Sequence, residues 1–211
     1  MAACNQFRPP FASGVGTLTD FIAQAWPVYK AKKNARAIKQ LIHMITLTDA
    51  DGTVLETKVT MTMQCLESVK TYFALSEGPR HGIRETKEGS FVDSSRKEVS
   101  FRDLLTLTLR DVGMNLPPSF SKIVKLRNAL VHRGFIRETD RVTQYIFGPL
   151  GAGAMFNAIF ETMEEVQDIL REFVFRLLNH KGPFLLYSDA RGVPKSPNLR
   201  LVLTAGLRHL D

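Results

Sequence analysis

Apolar positions recur at three- and four-residue steps along most of this chain, the spacing of amphipathic helices. Leu18, Phe21, Ile22, Ala25 and Trp26 make the first stripe, and Pro27 is expected to end or kink that helix. A second predicted helix covers residues 29–46, with Ile38, Leu41, Ile42 and Ile45 as its stripe. A third opens at Thr53, where Glu56 completes a capping box, and runs to about residue 75. It turns Val59, Met63, Leu66, Val69 and Phe73 inward. The alternative there is a strand hairpin across Asp51-Gly52, because residues 45–48 also suit a strand.

Residues 76–98 read as a charged loop. Ser100 with Asp103 starts a fourth helix that ends at Gly113. Pro117-Pro118-Ser119 introduces a fifth over residues 120–134, with Ser119 as N-cap and Gly134 just past the end. Residues 142–147 read as irregular or as a strand. Gly151 and Gly153 precede the longest helix, about 154–179, and residues 199–204 are a short strand candidate. The sum is an all-α bundle of about five or six helices: a mobile tail over 1–16, a helical domain over 17–187 and an extension over 188–211.

Composition narrows the setting. The 211 residues carry 28 basic and 21 acidic side chains, a net charge of +7, which points to a polyanionic partner. Hydrophobic content of 44% and charged content of 23% are ordinary globular values and exclude disorder throughout. The cysteines, Cys4 and Cys65, make no disulfide scaffold, and a reducing, cytoplasmic compartment is expected. The first residues have no apolar leader core, and the longest apolar stretch is broken by Glu161, Glu164, Glu165, Asp168, Arg171, Glu172 and Arg176, so no membrane association is expected. The second helix carries Lys30, Lys32, Lys33, Arg36 and Lys39 with no acid among them. That face is either solvated or a nucleic-acid contact, and Lys32, Lys33 and Arg36 are the RNA-binding candidates.

The chemistry concentrates in the fifth helix. On a helical wheel Phe120, Ile123, Val124, Leu130 and Val131 share one face, and Arg127 lies near its centre. An unpaired buried guanidinium costs several kcal/mol, so Arg127 must meet a carboxylate or line an anion-binding cavity. Glu67, flanking the stripe of its own helix, is the candidate partner, and an anion-binding cleft is the favoured setting. Asn128 and His132, four apart, stack on the adjacent flank with Ser121 and Lys125 nearby. Guanidinium, amide and imidazole together are the parts a phosphodiester cleavage site needs.

The segment Leu126-Arg127-Asn128-Ala129-Leu130-Val131-His132-Arg133-Gly134 resembles the Arg-Asn-x-x-x-His signature of HEPN domains. The helix with Leu66-Glu67 is similar to that family's early helix. The long helix ending in Arg176-Leu177-Leu178-Asn179-His180-Lys181-Gly182-Pro183-Phe184 is similar to the close of HEPN domains in large bacterial defence proteins. The likeness covers about residues 35–187. It implies a helical ribonuclease that works without a metal, two copies of the motif meeting in one composite site across a homodimer. Carried over, His132 would be general acid or base, Arg127 would stabilise the phosphorane-like transition state, and Asn128 would orient the histidine or bind phosphate. Lys125 and Arg133 would be phosphate contacts. The RNA 2′-hydroxyl would attack, leaving a 2′,3′-cyclic phosphate.

This chain departs from toxin-type members, which carry a Tyr two residues beyond the His, where Gly134 stands here. The N-terminal sensor domain of the large defence proteins is also not expected within 211 residues.

Other chemistries have little behind them. No Glu-x-x-His, Cys-x-x-Cys or His-Glu-x-x-His occurs, so neither metal nor cofactor is expected. Gly151-Ala152-Gly153 lacks a following Walker Lys-Ser/Thr and reads as a simple helix start. His43, His81, His180 and His209 read as structural or exposed, and Phe156, Phe160, Phe173 and Phe175 as core or dimer seam. Two functions follow: an endoribonuclease in antiviral defence or a toxin-like system, with an antitoxin or sensor partner, or a non-catalytic module that binds RNA or nucleotide or scaffolds a complex.

Overall fold

The computed structural model describes residues 18–32, 38–48, 54–134 and 141–180, with the backbone of 183–185 and 207–209. Among them are seven α-helices: α1 (Leu18–Lys32), α2 (Ile38–Thr48), α3 (Leu55–Ser76), α4 (Phe101–Asp111), α5 (Phe120–Arg133), α6 (Arg141–Phe147) and α7 (Ala152–Leu177). The chain is an all-α bundle. A short hairpin, β1 (Arg84–Glu85) and β2 (Phe91–Val92), interrupts the charged segment between α3 and α4, after a 3-10 turn at Gly78–His81. A second antiparallel pair joins β3 (Pro183–Leu185) to β4 (Leu207–His209). The expected tail over 1–16, the capping residue Thr53 and the strand candidate at 199–204 lie outside the described residues.

Helix α3 is the hub, packing on α2, α4 and α7, and α6 bridges α5 to α7. Its stripe is the expected one: Val59, Met63, Leu66, Val69 and Phe73 are all buried. Each such side chain contributes about 1.5–3 kcal/mol on leaving water. The helix starts one residue later than expected, with Val54 at the N-cap and no side-chain bond. Glu56 therefore falls at the second helical position rather than the third, where the capping-box geometry is lost but the helix dipole still favours its charge. Ile45 and Thr48 belong to α2, which excludes the hairpin across Asp51-Gly52.

Three other expectations are corrected. Helix α1 continues through Pro27 to Lys32. Proline removes one backbone donor, but Pro27 and Ala23, whose carbonyl loses its bond, are both on the exposed side, where water can take over. The buried edge of α1 is Phe21, Ala25 and Tyr29, while Ile22 and Trp26 are half exposed. Residues 142–147 form α6 instead of a strand, because Val142, Thr143, Ile146 and Phe147 repeat at helical spacing against α5 and α7.

Helix α7 begins at Ala152, so Gly153 lies inside it, and its second half is buried on every side. That interior includes charge: Asp168 and Arg171 pair at 3.0 Å, and Glu172 meets Arg176 at 2.9 Å. Gln167 donates to Thr48 Oγ1 at 3.1 Å, tying α7 to the end of α2. Phe173 and Phe175 are core, Phe160 is partly buried and Phe156 is exposed. His180 is buried against Phe21 and Phe175, the structural of the two roles expected for the histidines outside the motif.

The caps of α4 and α5 decide where the candidate site sits. Ser100 accepts from the Asp103 amide, as expected, and fixes the start of α4. Ser119 occupies the N-cap of α5 by position, but its right-handed backbone leaves the hydroxyl without a capping bond. Gly134 closes α5 with φ 73°, donating its amide to Leu130 at 2.7 Å. A Cβ there would meet no atom within 4 Å, so backbone strain alone sets the cost of replacing it. We expect Gly134→Ala to destabilise by about 1–2 kcal/mol, a melting drop of about 2–8 °C for a chain of this length, with Gly134→Asn milder. An unchanged melting temperature for Gly134→Ala would contradict the left-handed cap.

Candidate functional site

Helix α5 buries Phe120, Ile123, Leu126 and Leu130. Val131, expected on that face, is 57% exposed, and Leu126 takes its place in the core. Arg127 flanks the buried stripe with a side chain 17% exposed. It does not sit unpaired. Its Nε and Nη2 both donate to Oε1 of Glu67 on α3, in the partnership expected from sequence. Its Nη1 donates to Asn128 Oδ1 at 3.0 Å, and the guanidinium carbon stacks 4.4 Å from the Phe101 ring centroid. Three helices thus meet at one side chain: α5 supplies the cation, α3 the carboxylate and α4 the ring.

Glu67 is shared. Its Oε2 lies 2.9 Å from Lys70 Nζ, one turn further along α3. Lys70 in turn lies over Phe101 at 5.7 Å and Phe91 at 5.9 Å. One carboxylate between two cations leaves a local excess of positive charge, over an aromatic floor that favours cations. The two settings expected for Arg127, a carboxylate partner or an anion-binding cleft, are not alternatives here, because Arg127 has Glu67 and a cleft together.

Arg127 nevertheless lines a cleft of about 330 Å³. Its walls are Lys70 and Thr71 of α3, the β1–β2 hairpin with Glu85, Ser90 and Phe91, and the start of α4 at Glu98, Ser100 and Phe101. The turn below this wall is held by Asp93, whose carboxylate accepts from Ser95 Oγ at 2.7 Å, Ser95 N at 2.8 Å and Lys97 N at 3.0 Å. The Ser95 hydroxyl bond first, then the Lys97 amide, hold its carboxyl below the usual Asp range.

The remaining site candidates lie on the other flank of α5. Lys125, Asn128 and His132 fall within a narrow arc of the helix, at spacings of three, four and seven. Asn128 is half-buried, whereas Lys125, His132 and Arg133 are exposed. Lys125 Nζ sits 4.7 Å over the ring of Tyr145 on α6. The cleft is lined by Arg127 but by neither Asn128 nor His132. His132 lies five positions after Arg127, about 140° around a helix, so the two point to different faces. Asn128 is the link, bonded to Arg127 and one turn from His132. Lys32 is exposed at the end of α1, while Lys33 and Arg36 lie outside the described residues.

Sequence reasoning missed Phe101 and Lys70. Lys70 carried a signal, since a cation three residues after Glu67 is a helical ion-pair spacing. Phe101 carried none beyond its place at the start of α4. Among the described residues no group of His, Cys, Asp and Glu is placed to hold a metal ion, and no helix is long and apolar enough to cross a membrane. Comparison with protein-family models, curated proteins and solved structures found no match to this chain.

Because Lys70 remains beside Glu67, removing Arg127 does not strand a lone carboxylate. Arg127→Ala is expected to cost about 1–3 kcal/mol, the range for hydrogen bonds to charged groups, rather than the ~3–5 kcal/mol of an abandoned buried charge. In a double-mutant cycle with Glu67→Ala, denaturant melts should show coupling of about 1–3 kcal/mol. Strict additivity would mean that the pair does not hold α5 to α3.

Proposed function

We propose that this protein is a metal-independent endoribonuclease of the HEPN type, working in the cytoplasm in antiviral defence or a toxin–antitoxin-like system. The observation that carries the reading is the Arg127–Asn128 hydrogen bond. It couples a half-buried guanidinium beside the cleft of about 330 Å³ to the flank that bears His132 and Lys125. A guanidinium has five N–H donors. Glu67 and Asn128 take three of Arg127's among the described residues, which leaves one on each terminal nitrogen for phosphoryl oxygens.

In the proposed reaction the RNA 2′-oxygen forms a bond to phosphorus as the bond to the 5′-oxygen breaks. One imidazole accepts the 2′-hydroxyl proton and one donates a proton to the leaving 5′-oxygen, which gives a 2′,3′-cyclic phosphate and a 5′-hydroxyl. His132 supplies this group, and the exposed His132 and Val131 at the end of α5 favour a homodimer in which two copies share the two roles. Arg127 steadies charge on the pentacoordinate phosphorus, Asn128 orients the histidine or donates to phosphate, and Lys125 and Arg133 contact neighbouring phosphates. Lys32, Lys33 and Arg36 hold the RNA further out. An antitoxin or sensor protein would control access.

One observation favours a second reading. His132 stands outside the cleft that Arg127 lines, as it would in a non-catalytic module that binds RNA or nucleotide or scaffolds a complex.

A fluorescent RNA incubated with the protein in EDTA separates the two. The enzyme reading expects cleavage with a cyclic-phosphate end, a dimer by light scattering, and losses of about 10²–10⁴-fold for His132→Ala and Arg127→Ala at little cost in RNA affinity. Neutralising Lys32, Lys33 and Arg36 together should weaken binding and flatten its salt dependence. Binding without cleavage of any RNA would establish the second reading.

A further inference from the structure

Trp26 is the chain's single tryptophan, and it is 52% exposed on α1 although it lies in a stripe whose period predicts burial. A side chain of that size gains much from leaving water, so its exposure asks for an occupant. The ring is not loose. It stacks on Tyr29, with centroids 5.6 Å apart and planes 20° from parallel, and Lys30 Nζ lies 5.7 Å from its centroid. Both contacts come from the following turn of α1. Tyr29 also packs against the core and so anchors the pair.

The sequence that follows this platform carries charge of one sign. Between Asp20 and Asp49 the chain has Lys30, Lys32, Lys33, Arg36 and Lys39 and no carboxylate at all. Lys30, Lys32 and Lys39 are exposed. A half-exposed aromatic ring flanked by lysines is what a single-stranded nucleic acid recognises, a base stacking on the ring while phosphates meet the ammonium groups. A lipid surface fits less well, because Ile22 is the one large aliphatic neighbour exposed on this helix among the described residues, too little to insert.

We propose that the outer face of α1 is a single-strand binding platform on which Trp26, backed by Tyr29, stacks one base, and Lys30 and Lys32 hold the adjoining phosphates. The choice of nucleic acid rests on the ribonuclease reading above, but nothing in the platform depends on Arg127 or His132.

Its test uses the tryptophan itself and a probe without a 2′-hydroxyl, so that catalysis plays no part. Titrating the full chain with an oligodeoxythymidylate should quench Trp26 emission, with affinity falling steeply as salt rises. By anisotropy of a labelled oligonucleotide, Trp26→Ala should bind roughly tenfold more weakly, Trp26→Phe should retain most of the affinity, and Lys30→Gln with Lys32→Gln should reduce the salt slope. Saturable binding with unchanged Trp26 emission would overturn the proposal, as would quenching by phosphatidylserine vesicles but not by the oligonucleotide. A Trp26→Ala chain that changes only its oligomeric mass would make this face a protein contact instead. Quenching without RNA cleavage leaves the platform standing and removes the enzyme; cleavage without quenching does the reverse.

Discussion

The ion pair between Arg127 and Glu67 is the constraint around which this end of the bundle is arranged. Helix α5 packs mainly on α6 and α7, and Arg127 reaches from it across to α3. A guanidinium placed beside a buried stripe loses hydration, and the bundle compensates with a carboxylate, an amide oxygen and an aromatic face. Each compensating group comes from a different place: Glu67 from the hub helix, Asn128 from the next residue, Phe101 from the start of α4. The Ser100 cap matters for this reason, because it sets where α4 begins and so where the ring lies.

Sharing Glu67 with Lys70 sets the charge balance around the pair. A carboxylate serving one arginine would neutralise it. Serving two cations, it leaves one positive charge over at the Arg127–Lys70 end while both partners remain hydrogen-bonded. The cleft also carries Glu85 and Glu98 on the hairpin side, so its charge is graded from the arginine end outward. A phosphate would be drawn to one end, and donors such as base amino groups would meet acceptors at the other.

Much of this was legible in the chain. The α3 stripe, the Ser100 cap, the Gly134 terminus and the Glu67 partnership all follow from spacing and from the cost of an unpaired charge. What could not be read has physical reasons. The wheel for α1 gave Ile22 and Trp26 to the core because they are apolar, but which edge of a helix faces inward depends on its neighbours, and Phe21, Ala25 and Tyr29 won. Residues 142–147 are too few for periodicity to separate strand from helix, and only packing on α5 and α7 decided it. The burial of charges in α7 had no signal either, because a single helix wheel cannot show that its second half is enclosed on all sides.

The central claim is that Arg127 is clamped by Glu67 and still presents donors to the cleft. Side-chain ¹⁵N spectra of the arginine Nε–H groups test it most directly, with the Arg127 signal assigned by its loss in Arg127→Lys. The account predicts a slowly exchanging Nε–H signal that disappears or broadens in Glu67→Ala, and that shifts when a nucleoside monophosphate is added to the native chain. A rapidly exchanging Nε–H, indifferent to both Glu67→Ala and the nucleotide, would contradict it.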